Sequence, residues 1–120
     1  MPKGKKKSKL QRKKSLLLNK YNNWKKVKCP ALNAHVHFTR LGWDHLVERK
    51  KRNKKEYLRR LEMIPYARKI IKKSTTLQSQ NWNKGIQYTN LIAVMGGITI
   101  KVTITRKGKK YTFFSIRRLA

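Results

Sequence analysis

Near Ser74 the hydrophobic period of the chain changes from helical to two for the rest of its length, and that change limits the folds open to it. Before Ser74 the apolar residues recur at three- and four-residue spacings: Trp43, Leu46 and Val47, then Tyr57, Leu58, Leu61 and Ile64, then Tyr66, Ala67, Ile70 and Ile71. After it they fall on every second residue, as in Ile98, Ile100, Val102 and Ile104. Helices followed by a meander of strands predict an α+β fold rather than a parallel sheet. The expectation is N-terminal helices packed on one face of a C-terminal antiparallel sheet of three to four strands.

Local signals place the elements. Residues 1–9 are a lysine-rich tail without a core-forming side chain. Leu10, Leu17, Tyr21 and Trp24 share one helical face, which suggests a helix from about residue 10 to the low twenties. Pro30 closes this basic block. The organisation expected is a basic tail with a candidate helix over 1–30 and an α+β domain over 31–120. His35–Thr39 alternates as a short strand with Ala34, Val36 and Phe38 on one side. Thr39 suits the N-cap of a helix from Arg40 to Arg49. Asn53-x-x-Glu56 has the pattern of a capping box opening a second helix, which Pro65 breaks, kinks or restarts. Ser74–Gln80 reads as a weak strand and 81–85 as a turn. Ile86–Met95, Gly97–Thr105 and Tyr111–Arg118 read as strands joined at Gly96-Gly97 and Lys107-Gly108-Lys109.

Parity predicts register. A two-residue Gly96-Gly97 turn sets Met95, Ala93 and Leu91 opposite Ile98, Ile100 and Val102. A three-residue loop in the last hairpin would set Ile116 opposite Ile100 and Phe114 opposite Val102. The other face would then carry Thr99, Lys101, Thr103, Thr105, Tyr111, Phe113, Ser115 and Arg117, with Tyr88 and Asn90 nearby. In that register Lys101 faces Ser115, and Thr99 faces Arg117. Hydroxyls, cations and rings on an open sheet suit single-stranded RNA. The plainer reading is a solvated face, which every antiparallel sheet covered on one side possesses.

Charge narrows the partners. Lys and Arg number 33 against four Asp and Glu, a net charge of +29 over 120 residues. Such a chain repels itself unless a polyanion is near, and nucleic acid is the commonest one. Arg40, Arg49, Lys51, Arg52 and Arg59 are candidate phosphate contacts on the helical segment, beside a solvated-face reading of the same cations. Thr99, Thr103, Tyr88, Tyr111 and Phe113 are candidate contacts on the sheet. Carboxylate-bridged Mg²⁺ sites need several convergent acids, and Asp44, Glu48, Glu56 and Glu62 are all the chain has. Asp44 and Glu48, one helical turn apart, suit pairing with nearby cations. His35-x-His37 supplies two imidazoles on one side of a strand without a third ligand at suitable spacing, so exposed strand histidines are expected rather than a metal site. No cofactor is expected. Cys29 is the only cysteine, consistent with a reducing compartment, and a cytoplasmic location is expected. No apolar run approaches a membrane span, and no membrane partner is expected.

His45 follows Trp43-Asp44 in a cationic setting. Nearby positive charge favours the neutral imidazole, which can act as a base; a packed helix histidine is the competing reading. Cleavage of RNA through its 2′-OH needs a base, an acid and groups that steady the phosphate, and His, Lys, Arg, Tyr, Ser and Thr suffice.

The order of elements carries a resemblance. Val36-His37-Phe38-Thr39 precedes Gly42-Trp43-x-His45-Leu46, basic helices ending at Leu61-x-x-Ile64-Pro65, and a meander closing on Lys110-x-x-Phe113-Phe114-Ser115-Ile116. Over roughly residues 34–118 this resembles the barnase–EndoU–colicin–RelE superfamily of small RNases, especially its phage- and mobile-element-associated branches. The resemblance implies a metal-independent endoribonuclease, toxin-like in many members, with RNA as substrate and an acidic antitoxin or immunity protein as a further partner. It maps His45 to the histidine of the helical motif and Ser115 to the hydroxyl position of the last strand. Lys101 and Arg117 would steady the phosphate. The chain departs from barnase in having no Glu on the sheet. Two rivals remain at this stage. One is a non-catalytic RNA-binding or ribosome-associated protein, which the lysine-rich tail and the charge fit at least as well. The other is an architectural DNA-binding protein.

Overall fold

A computed structural model describes residues 9–47 and 54–119, apart from the side chains of 9–11, 13, 41, 45–47 and 54–58. The tail over 1–8, the capping position Asn53, and Glu48, Arg49, Lys51 and Arg52 lie outside the described residues. The elements run α1 (Lys9–Trp24), β1 (Lys26–Cys29), β2 (Ala34–His37), α2 (Arg40–Val47), α3 (Lys54–Lys73), β3 (Ser79–Asn83), β4 (Ile86–Met95), β5 (Ile98–Lys107) and β6 (Lys110–Arg118).

The strands form one six-stranded sheet in the order β1-β2-β6-β5-β4-β3. The α+β class agrees with the sequence, but the sheet is larger than three to four strands and is mixed. β2 runs parallel to β6, with Val36 beside Tyr111 and His37 beside Thr112. The other neighbours are antiparallel. Pairing between segments so distant in sequence leaves no local pattern, so the β1–β2 hairpin could not be assigned to this sheet from periodicity.

The helices and the sheet bury one shared face. Leu61, Ile64, Ala67, Ile70 and Ile71 of α3 meet Leu91, Ile100, Val102, Ile104 and Ile116 in one core. The core also takes Leu17, Tyr21, Val27 and Cys29 from ahead of Pro30, where the composition suggested that the compact part begins. Tyr21 is fully buried, its ring 5.5 Å from Phe38, 5.3 Å from Trp43 and 6.1 Å from Phe113. Its hydroxyl donates to the Thr39 carbonyl at 2.7 Å. Thr39 in turn caps α2, its Oγ1 accepting from the Gly42 amide at 3.2 Å. One tyrosine thus ties α1 to the start of α2 by packing and by a satisfied buried hydroxyl.

Three local expectations need correction. α3 is not broken at Pro65, which is exposed, but continues through it as one helix. The missing N–H removes one helix bond, and apolar residues on both sides of the proline hold the helix to the sheet. β3 begins at Ser79, not Ser74, and includes Trp82. The turn after it is only Lys84-Gly85, both at positive φ (53° and 80°), as a two-residue type I′ turn requires.

The last hairpin also differs. The Gly96-Gly97 turn has the predicted register, with Leu91 opposite Val102 and Ala93 opposite Ile100. The β5–β6 connection is a two-residue turn, Gly108-Lys109, with Lys107 opposite Lys110. A shift of register between Thr103 and Ile104 then restores burial. Before it, Phe113 lies opposite Ile104; beyond it, Ile116 lies opposite Val102 and not Ile100. Phe114 is the extra residue of a β-bulge, and the bulge does the work assigned to a longer loop.

Candidate nucleic-acid interface on the open sheet face

The bulge determines which side chains face away from the helices. Phe113, expected on the open face, is fully buried. Tyr111 lies in the helix-side row opposite Arg106. Phe114 takes the open side, with its ring 5.7 Å from that of Tyr88.

The open face is organised in cross-strand rows, successive rows lying about 7 Å apart along a strand. The first row reads Lys26, His37, Thr112, Thr105, Tyr88 and Asn81 from β1 to β3. The second reads Ser115, Thr103, Asn90 and Ser79. It is knitted together by Thr103 Oγ1 donating to Asn90 Oδ1 at 2.8 Å and Asn90 Nδ2 donating to Ser79 Oγ at 2.9 Å. The third sets Arg117 beside Lys101 and Ile92. The fourth sets Thr99 beside Val94, with the Leu119 amide bonded to the Thr99 carbonyl. Ile92, Val94 and Leu119 are exposed, so this end of the face is apolar beside its two cations.

The expected set therefore comes together in a different order. Lys101 faces Arg117, and Ser115 faces Thr103. Thr103 is nearly buried, and Lys101, Ser115, Thr99 and Tyr88 are half-buried. Arg59 and Arg40 are exposed, and Arg40 Nε binds the Asp44 carboxylate at 3.0 Å, so Asp44 pairs with a nearby cation as expected. α2 packs along β6, with Gly42 against the Phe113 carbonyl. His45 lies on this helix, and its side chain falls outside the described residues.

Sequence reasoning weighed His37 as a metal ligand and preferred an exposed strand histidine, with no part in the chemistry. This residue is half-buried in the first row of the open face, and its pKa is lowered by burial and then by Lys110, Lys26 and His35. Each of these disfavours the imidazolium and keeps the ring available as a base. Its side of the strand was legible from the alternation of His35, Val36 and His37. Its neighbours were not, because the parallel pairing was not. Among the described residues no cluster of three or more His, Cys, Asp or Glu is placed to hold a metal ion.

Cations are not confined to this face. A groove of about 460 Å³ between α1 and α3 is lined by Lys20, Asn23, Trp24, Pro65, Arg68 and Lys69. Among the described residues no helix is long and apolar enough to cross a membrane. Comparison with protein-family models, curated proteins and solved structures finds no match to this chain.

Proposed function

We propose that the protein binds single-stranded RNA across the open sheet face and cleaves it by attack of a ribose 2′-OH on the adjacent phosphate. The observation that carries this reading is the row joining His37 to Thr112, Thr105 and Tyr88, next to the Ser115–Thr103 row. In the reaction His37, neutral at physiological pH, takes the 2′ proton. The new O2′–P bond forms as the P–O5′ bond breaks, and a second acid returns a proton to O5′. Lys26, beside His37 in the same row, is the candidate for that acid; His45 belongs to α2, which packs with the other helices on the opposite side of the sheet. Ser115 and Thr112 are hydrogen-bond donors for the crowded phosphate.

Lys101 and Arg117 stand two rows from His37 along β5, about 13–14 Å at ~3.3–3.4 Å per residue. That is too far to share one phosphate with the histidine. Their role in this reading is to hold a neighbouring phosphate and set the strand in register. The scarcity of acids favours chemistry without a carboxylate-bound metal. An acidic inhibitor would find cations and exposed aliphatic side chains together at Lys101, Arg117, Ile92 and Val94.

The test is incubation of the pure protein with end-labelled RNA in excess EDTA, followed by end-group analysis. The expected products carry 2′,3′-cyclic phosphate and 5′-hydroxyl ends. Intact RNA under all conditions would leave binding without cleavage. The basic groove between α1 and α3, remote from the histidine row in the chain, favours that second reading.

A further inference from the structure

The helix-side face of the sheet ends in a row that is not apolar. Trp82, Gln87, Arg106 and Tyr111 follow one another across β3, β4, β5 and β6. The Arg106 guanidinium lies 5.4 Å from the Trp82 ring centre and 5.5 Å from that of Tyr111. Trp82 is 58% exposed although it belongs to the face the helices cover elsewhere. Gln87 is only 9% exposed, and its Oε1 has no hydrogen-bond partner; Arg106 Nε is likewise buried and unpaired.

These features have no account in the packing of the fold. A buried amide oxygen and a buried guanidinium N–H, neighbours on paired strands, are an acceptor and a donor left open together. Every nucleobase presents an acceptor and a donor side by side on its pairing edge, and every base has a face that stacks on an indole. Lys84 in the β3–β4 turn and Lys107, Lys109 and Lys110 around the β5–β6 turn are exposed and rim the same end of the sheet. They supply phosphate contacts beside the aromatic row.

We propose that Trp82, Gln87, Arg106 and Tyr111 form a nucleobase-binding site that anchors a single strand of RNA where it turns over the end of the sheet. The site rests on the reading of RNA as the ligand and adds a second foothold on the opposite face. The base stacks on Trp82, while Arg106 Nε donates to its edge and Gln87 Oε1 accepts from it. Both atoms are sealed in the free protein, so the indole must swing aside. Trp82 sits on the edge strand, all five of whose residues are exposed, which leaves it room to do so. The strand then passes the lysines of the turns and reaches His37 in the next row, on the open face.

Tryptophan emission offers a direct readout, because Trp43 is buried and Trp24 half-buried while Trp82 is exposed. Single-stranded RNA is expected to quench the full-length protein, and inorganic polyphosphate of similar charge to bind with little quenching. Trp82→Phe should bind RNA with the quench largely gone. Trp82→Ala should lose about 5- to 150-fold in affinity for RNA, the range for one stacked base, with polyphosphate affinity unchanged. Arg106→Gln should weaken RNA more than polyphosphate. Unchanged RNA affinity in Trp82→Ala would overturn the site while leaving RNA binding intact. Quenching by polyphosphate equal to that by RNA would overturn the stacking. No RNA binding by the wild type would remove the site and the functional reading together.

Discussion

His37 and Thr112 are neighbours across the sheet's parallel strand pair, and this contact sets an imidazole among the hydroxyls of the open face. Replacing His37 by Ala should slow RNA cleavage about 10²–10⁴-fold, the usual acid–base contribution, while binding persists through the cations. Cleavage at the wild-type rate would remove His37 from the chemistry. Because burial and neighbouring cations lower its pKa, the acidic limb of the rate profile should lie below the ordinary histidine value of about 6.5. A limb at or above that value would point to another base.

Salt should weaken RNA binding steeply, with log affinity falling about 0.7 per phosphate contact for each decade of salt on single strands. Removing residues 1–8 takes away Lys3, Lys5, Lys6 and Lys7 and is expected to flatten the slope with little change in sequence preference. An unchanged slope would mean that these lysines touch no phosphate. A cut at residue 28 is a poor test, because it also removes Leu17, Tyr21 and Val27 from the core.

Gly42→Ala should destabilise the protein, although alanine is the better helix former by about 1 kcal/mol. A Cβ there would strike the Phe113 carbonyl and come within 2.9 Å of the Tyr21 hydroxyl. A loss of about 1–3 kcal/mol is expected from overpacking, measured by denaturant titration. A gain in stability would show that α2 can step back from β6.

Tyr21→Phe leaves the Thr39 carbonyl without its donor and should cost about 1–2 kcal/mol near neutral pH. Burial first, and then the charge of Asp44, raise the Tyr21 pKa, and the bond to the Thr39 carbonyl exists only while the hydroxyl keeps its proton. The folded chain therefore keeps the proton after the unfolded chain has released it. This contribution is intact below about pH 10 and is lost as the pH rises further. The variant should lose less stability than the wild type between neutral and strongly alkaline pH. Parallel curves would show that the hydroxyl ionises freely.

What could be read from the sequence was what depends on neighbours in the chain. Thr39 capped a helix, the Gly96-Gly97 turn set its register, and Asp44 paired with a nearby cation. The N-terminal helix appeared over almost the range its apolar spacing implied. What could not be read depends on distant partners. Cys29 and Val27 enter the core because β1 pairs with β2, and β2 reaches β6 across the whole helical segment. The bulge at Phe114 was hidden for a different reason. Phe113 and Phe114 are equally apolar, so alternation cannot tell which is buried until the turn length is known. The same ambiguity misplaced Tyr111 and hid the row that contains Trp82.

The strand that unites the sheet, β6, comes later in the chain than every other strand it joins. A chain still being synthesised can form the helices and the hairpins of β3, β4 and β5 from local contacts, but the β1–β2 hairpin has no berth until β6 arrives. Folding of the whole should wait on this long-range closure and be slow for its size. During that delay a strongly cationic nascent chain, its histidine row unassembled, stands beside ribosomal RNA. Under the cleavage reading, activity would then switch on only once β6 has been made and docked, giving the cell a built-in interval before the chain can cut.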